Sequence, residues 1–141
     1  MTRPATAGYN SIPFQGADVS SAFILNVEDY EAARYAKTRL LRNAGFTVRE
    51  ACNGRQALQM VEMYGPALML LDVRLPDIDG RDLCRRIKDN PATRDWRVIQ
   101  TSAAFITSAD MASGYASGAD AYIPAPYQPD ELIRLLRSFS H

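Results

Sequence analysis

The chain has 141 residues, 47% hydrophobic and 23% charged, which suits one domain with a real buried core. Sixteen basic side chains balance sixteen acidic ones and the isoelectric point is near 6.6, so no net field draws nucleic acid or an anionic membrane, and a partner must be recognised locally. Apolar runs fall short of the ~20 residues of a membrane helix, and Cys52 and Cys84 have neither metal-like spacing nor disulfide density, so the chain reads as cytoplasmic with both thiols reduced as small apolar fillers.

Met1 to Ser21, rich in Ser, Gly, Pro and Ala, carries no signal-peptide core and reads as a flexible N-terminal leader (1–21) before a single domain at 22–139. FILNV (23–27) is a candidate strand, followed after Glu28 and Asp29 by a helix with Ala33, Ala36, Leu40 and Ala44 at spacings of three and four. Gly45 ends it as a left-handed cap. FTVRE (46–50) is the second strand, and a helix over 54–64 carries Ala57, Leu58 and Val61 on its apolar side. Gly65 and Pro66 stop it. ALMLL (67–71) is apolar throughout, as a central parallel strand covered on both faces should be. A third helix over 80–88 buries Leu83, Cys84 and Ile87. WRVIQT (96–101) is the fourth strand, and a fourth helix starts at Thr107, whose spacing to Asp110 fits a capping box. AYI (121–123) is a short fifth strand, and Pro129 to Phe139 places Leu132, Leu135, Leu136 and Phe139 on one side of a last helix.

Five strand and helix pairs in strict alternation imply an α/β fold: one five-stranded parallel sheet, right-handed crossovers, five helices on both faces. Eight units would be needed to close a barrel, so the sheet is open and doubly wound. Ligands in such sheets bind beyond the carboxyl ends of the strands. Those ends carry Glu28 and Asp29 (first strand), Asp72 (third), and Thr101 and Ser102 (fourth), while the fifth leads to Ala125 and Pro126. An acid at the end of a buried strand is costly unless its charge is used. Each acid alone would pass as a solvated loop residue or helix cap, but three converging carboxylates repel one another unless a cation sits among them. Hard oxygen ligands with open positions suit Mg²⁺.

The segments VED (27–29), LLDVRLPDIDG (70–80), TSA (101–103) and GADAYIPAPYQPDEL (118–132), with the spacing from Asp72 to Ser102, carry a specific resemblance over about residues 22–139. The chain resembles the receiver domain of bacterial two-component response regulators. That resemblance implies a flavodoxin-like receiver fold with strand order 2-1-3-4-5. It implies that Asp72 is the phosphoacceptor, taking a phosphoryl group from a phosphohistidine on a sensor histidine kinase or histidine phosphotransfer protein. Glu28 and Asp29 would hold Mg²⁺ together with Asp72 and the backbone carbonyl of Arg74. Ser102 matches the switch hydroxyl and Tyr122 the switch aromatic that turns inward; from the residues alone they read as a strand-end serine and a half-buried core tyrosine. The domain is then a signalling module rather than an enzyme, with at most self-phosphorylation from a donor and slow self-dephosphorylation.

Where the family usually places a lysine that pairs with the phosphoryl group, this chain has Ala125, followed by Pro126 in an expected cis bond. A receiver subgroup often attached to hybrid sensor histidine kinases shares that substitution, and DVRLPDI and RRIKDNPAT resemble it. Arg74 could reach over the site, though it also reads as solvent-exposed. The main reading is a phosphorelay receiver signalling through the fourth helix, fifth strand and fifth helix, roughly 107–139. The alternative is a phosphorylation-independent pseudo-receiver that acts by protein contact alone. A haloacid-dehalogenase-like phosphatase would need a second Asp two residues after Asp72, where Arg74 stands. An FMN carrier would need Gly, Ser and backbone amides where Glu28 and Asp29 stand. The fourth helix, with Ser113, Gly114, Ser117 and Gly118, has poor helix propensity, fitting either a helix that shifts easily or a short frayed one. With no further domain expected after the last helix and no direct nucleic-acid or membrane binding, output is expected through a partner chain, through a homodimer, or through a longer parent protein.

Overall fold

A computed structural model describes residues 23–102 and 108–139. The elements follow one another as β1 (Ile24–Val27), α1 (Glu31–Asn43), β2 (Val48–Ala51), α2 (Gly54–Met63), β3 (Leu68–Asp72), α3 (Gly80–Asp89), β4 (Arg97–Ser102), α4 (Ser108–Ala116), β5 (Ala121–Pro124) and α5 (Pro129–Ser138). All strand pairs are parallel, in the order β2-β1-β3-β4-β5. The expected doubly wound sheet with five helices is therefore present, with individual boundaries displaced by one or two residues. The leader at 1–21 and the proposed capping residue Thr107 lie outside the described residues.

Alternation along the three central strands divides the core. Leu25, Val27, Met69, Leu71 and Val98 pack with Ala57, Val61, Leu83, Cys84 and Ile87, so α2 and α3 cover one face. Ile24, Leu68, Leu70 and Ile99 pack with Leu41, Leu132 and Leu136, so α1 and α5 cover the other. Cys84 is buried there as expected, whereas half-buried Cys52 also makes a polar contact, its thiol donating to Gln56 Oε1 at 3.2 Å.

Local chemistry sets the helix ends. Asn53 Oδ1 accepts from the Gln56 amide and Asp79 Oδ1 from the Arg81 amide, both at 2.8 Å, giving α2 and α3 side-chain N-caps. Gly45 follows α1 with φ +99°, the left-handed conformation anticipated for it. Among the described residues no helix is long and apolar enough to cross a membrane.

Helix α1 departs from the sequence expectation. Ala36 of the expected alanine stripe is exposed, and the buried positions are Thr38 and Leu41, with Arg34 and Lys37 half-buried beside them. The cause lies in β1, where Asn26 is fully buried. Its Nδ2 donates to Arg34 O at 3.1 Å and to Thr38 Oγ1 at 3.0 Å, and Thr38 in turn donates to Glu50 Oε2 at 2.5 Å. A buried amide without partners costs more than the burial of two alanine methyls returns, so the helix turns its polar seam inward.

Candidate functional site

The site lies at the carboxyl edge of the sheet, where β1 and β3 run side by side with Val27 opposite Leu71. One residue further on, Glu28 and Asp72 stand together, 4% and 5% exposed. Asp72 is the last residue of β3 and pairs with Thr101, so the ladder fixes its backbone. The Arg74 amide donates to Asp72 Oδ1 at 2.8 Å and fixes the carboxyl as well. Behind it, Gly80 brings the start of α3 against the Asp72–Val73 peptide. A Cβ there would lie 2.5 Å from Val73 Cα and 2.8 Å from Asp72 O, so no side chain fits.

Glu28 is held from α1. Lys37 Nζ donates to its Oε1 at 2.7 Å, and the Tyr30 amide donates to its Oε2 at 3.1 Å. The Arg34 guanidinium donates to the carbonyls of Glu28 and Asp29 at 3.0 and 3.3 Å, clamping the loop that carries both acids.

The two buried carboxyls respond in opposite directions. Burial raises Asp72 to about 6 against the pull of the Arg74 amide, and the charge of Glu28 adds to the rise. Burial also works against ionisation of Glu28, but the hydrogen bond and charge of Lys37, with the Tyr30 amide, hold it below the ordinary carboxylate range. Of the two, Asp72 is therefore the acid that holds a proton more readily, and Glu28 the one that stays ionised.

The three-carboxylate cluster expected from the sequence is only partly assembled. Asp29 is exposed, and among the described residues no three acidic, histidine or cysteine side chains stand together as a set of metal ligands. Glu28 and Asp72 are in place, and the member that stands apart is Asp29. The donor set still fits a hard divalent ion, since two buried carboxyls with Asp29 at their rim offer hard oxygen ligands whose mutual repulsion a cation would relieve.

Arg74 is exposed, in keeping with the solvent reading of its side chain. Ser102 closes β4, 1% exposed, and Thr101 Oγ1 beside it is buried with no hydrogen-bond partner among the described residues. Tyr122 already lies inward at 7% exposure, its ring so close to α4 that a Cβ on Gly114 would come within 2.6 Å of it. The Ala125–Pro126 bond is cis. Tyr127 follows it, and burial raises its phenol, with the charges of Glu28 and Asp72 adding. Sequence reasoning passed over Tyr127, Asn26, Arg34 and Lys37. The available signal for the last three was a polar spacing of three and four in α1 opposite a polar residue inside a strand.

Fold and site together define a flavodoxin-like domain whose ligand edge is acidic rather than rich in glycine and amides. The chain belongs to the response regulator receiver domain family, whose family model matches residues 24–137. It is 31% identical over 140 residues to the transcriptional regulatory protein TrcR of Mycobacterium tuberculosis, covering 96% of this chain and 52% of that protein. It is 34% identical over 118 residues to the response regulator MprA of Mycobacterium ulcerans, covering 84% of this chain and 50% of that protein. The chain therefore spans about half the length of these relatives. Among solved structures, the receiver domain of the sensor histidine kinase PA1611 from Pseudomonas aeruginosa PAO1, with a magnesium ion in its active-site cleft, superposes with a TM-score of 0.75 at 28% identity, covering 84% of this chain and 96% of that one. The receiver domain of a signal transduction histidine kinase from Syntrophus aciditrophicus gives 0.76 at 28% identity, covering 84% and 89%.

Proposed function

We propose that this receiver domain is a phosphoacceptor of a two-component phosphorelay, with Asp72 as the nucleophile. The observation that carries the reading is the buried pair of acids, Glu28 and Asp72, side by side at the carboxyl edge of the sheet. A purely structural role gives such a pair no return on its desolvation.

In the proposed transfer the N–P bond of a phosphohistidine on a sensor kinase or phosphotransfer protein breaks as an O–P bond forms on Asp72. Mg²⁺, held by Glu28, Asp29, Asp72 and the Arg74 carbonyl, would neutralise the equatorial phosphoryl oxygens. The chain's own groups supply position: the Arg74 amide orients the carboxyl of Asp72, and the Gly80 contact keeps the Asp72–Val73 peptide in place. Exposed Asp29 is available to turn toward the ion.

Ser102 is the proposed switch hydroxyl and Tyr122 the switch aromatic, reporting to the α4, β5 and α5 face. The tight contact between Tyr122 and Gly114 supports that route, as does the bond from Gln100 Nε2 to Ser117 Oγ at 2.9 Å, which ties β4 to the residue just after α4. The balanced charge supports contact with protein partners rather than direct contact with nucleic acid or membrane. Ala125 and the loop motifs support, on this reading, a likeness to the lysine-lacking receivers often attached to hybrid histidine kinases.

Intact-mass measurement after incubation with Mg²⁺ and acetyl phosphate, beside Asp72→Asn, tests the reading. One added phosphoryl group on the native chain and none on the variant is expected. No gain on the native chain, together with no heat of Mg²⁺ binding, would favour the pseudo-receiver instead.

A further inference from the structure

The loop after β5 offers Ala125 to the site and no ammonium group, yet a lysine is already inside it from another direction. In the sheet β1 flanks β3 on one side while β4 and β5 lie on the other, so a side chain from α1 enters opposite the Ala125 loop. Lys37 does so. Its side chain is only 14% exposed, and its ammonium sits 2.7 Å from Glu28 Oε1. Its charge also reaches Asp72, where it opposes the rise that burial and Glu28 impose. Its place is fixed from both sides along α1, by Arg34 on the acid loop and by Thr38 on Asn26.

We propose that Lys37 is the phosphoryl-site cation of this domain: in the metal-free protein it occupies the Glu28 oxygen that a divalent ion requires, and once the ion takes that oxygen the ammonium pairs with the phosphoryl group on Asp72. The inference rests on the phosphoacceptor reading above. Its physical basis is charge balance. A free carboxylate pair this deeply buried needs a counter-ion, and Lys37 supplies one until Mg²⁺ arrives. After transfer, the site gains phosphoryl charge beside an ammonium that has lost its carboxylate partner, and a charge-assisted hydrogen bond is the low-energy outcome. Two opposite consequences follow for Mg²⁺ alone and for the phosphorylated state, and a merely structural lysine would not produce both.

The test is calorimetric titration of the native chain, K37Q, K37M and K37R with Mg²⁺, then with beryllofluoride at saturating Mg²⁺ as the phosphoryl mimic. Removing the competing charge is expected to tighten Mg²⁺ binding of K37Q and K37M by about fivefold or more. Loss of the charge-assisted contact is expected to weaken beryllofluoride binding by about tenfold or more. K37R, which retains the charge, should stay within about threefold of the native chain in both titrations. Unchanged or weaker Mg²⁺ binding by the neutral variants would overturn the proposal, and so would unchanged beryllofluoride binding. A native chain that binds Mg²⁺ but no beryllofluoride would instead overturn the phosphoacceptor reading on which the proposal stands.

Discussion

Asp72→Asn is expected to stabilise the metal-free protein, by an amount that depends on pH. Asp72 is 5% exposed, and burial foremost, with the charge of Glu28 adding, raises its carboxyl from 3.8 to about 6. At about 1.36 kcal/mol per pKa unit, the ionised carboxylate is disfavoured by about 3 kcal/mol in the folded chain relative to the unfolded one. A folded-state pKa above the unfolded value means stability that is whole below about pH 4 and lost as pH rises through about 6. Above that range the native chain carries the whole penalty. Asparagine keeps the shape, accepts the Arg74 amide through Oδ1, and donates to the Glu28 carboxylate without a charge of its own. Glu28 stays ionised against Lys37 in both proteins, so its contribution cancels to first order.

Urea unfolding in EDTA at pH 7.5 should therefore give Asp72→Asn an advantage of about 2–3 kcal/mol, shrinking toward zero near pH 4. Millimolar Mg²⁺ should narrow the gap at pH 7.5, because the ion stabilises the native carboxylate site and has less to bind in the variant. Equal or lower stability of the variant at pH 7.5 in EDTA would refute the reasoning, as would an advantage of the same size at both pH values.

Two packing predictions bear on the same machinery. Gly80→Ala gains about 1 kcal/mol of helix propensity but places a methyl 2.5 Å from Val73 Cα, against backbone that cannot yield. A net loss of about 2 kcal/mol in urea, with weaker Mg²⁺ binding by calorimetry, is expected. Gly114→Ala sets a methyl 2.6 Å from both Gln100 Oε1 and the Tyr122 ring, so α4 must lift from β4 and β5. A loss of about 1–3 kcal/mol should come with faster amide exchange over 108–116, while the exchange of α1 and β1 stays as in the native chain.

What the sequence made legible, and what it hid, follows from which forces are periodic. ALMLL could only be a strand covered on both faces, and the ends of such strands had to carry the site, so Asp72 and Glu28 were readable before any coordinates. Whereas α4 was read from its capping spacing, hydrophobic patterning also located most of the other elements. It failed for the face of α1, because the residue that decides that face is not apolar. Asn26 is one polar side chain in a strand, its need for partners has no period, and it leaves Ala36 exposed and Ala33, Leu40 and Ala44 only half-buried. The state of Asp29 was equally invisible. Three acids at strand ends predict convergence only if each turns inward, and Asp29 does not.

These departures share one origin. The polar seam of α1 does three things within two turns: Arg34 clamps the loop of the acids, Lys37 neutralises Glu28, and Thr38 locks the helix to Asn26 and Glu50. With the alanine stripe buried instead, Arg34, Lys37 and Thr38 would swing away from the acids together, since positions three and four apart move as one face. The orientation that satisfies Asn26 is therefore the orientation that delivers a cation to the acid pair. On the proposal made for Lys37, a chain whose first helix is keyed to the sheet in this way does not need an ammonium from the last loop, where Ala125 stands.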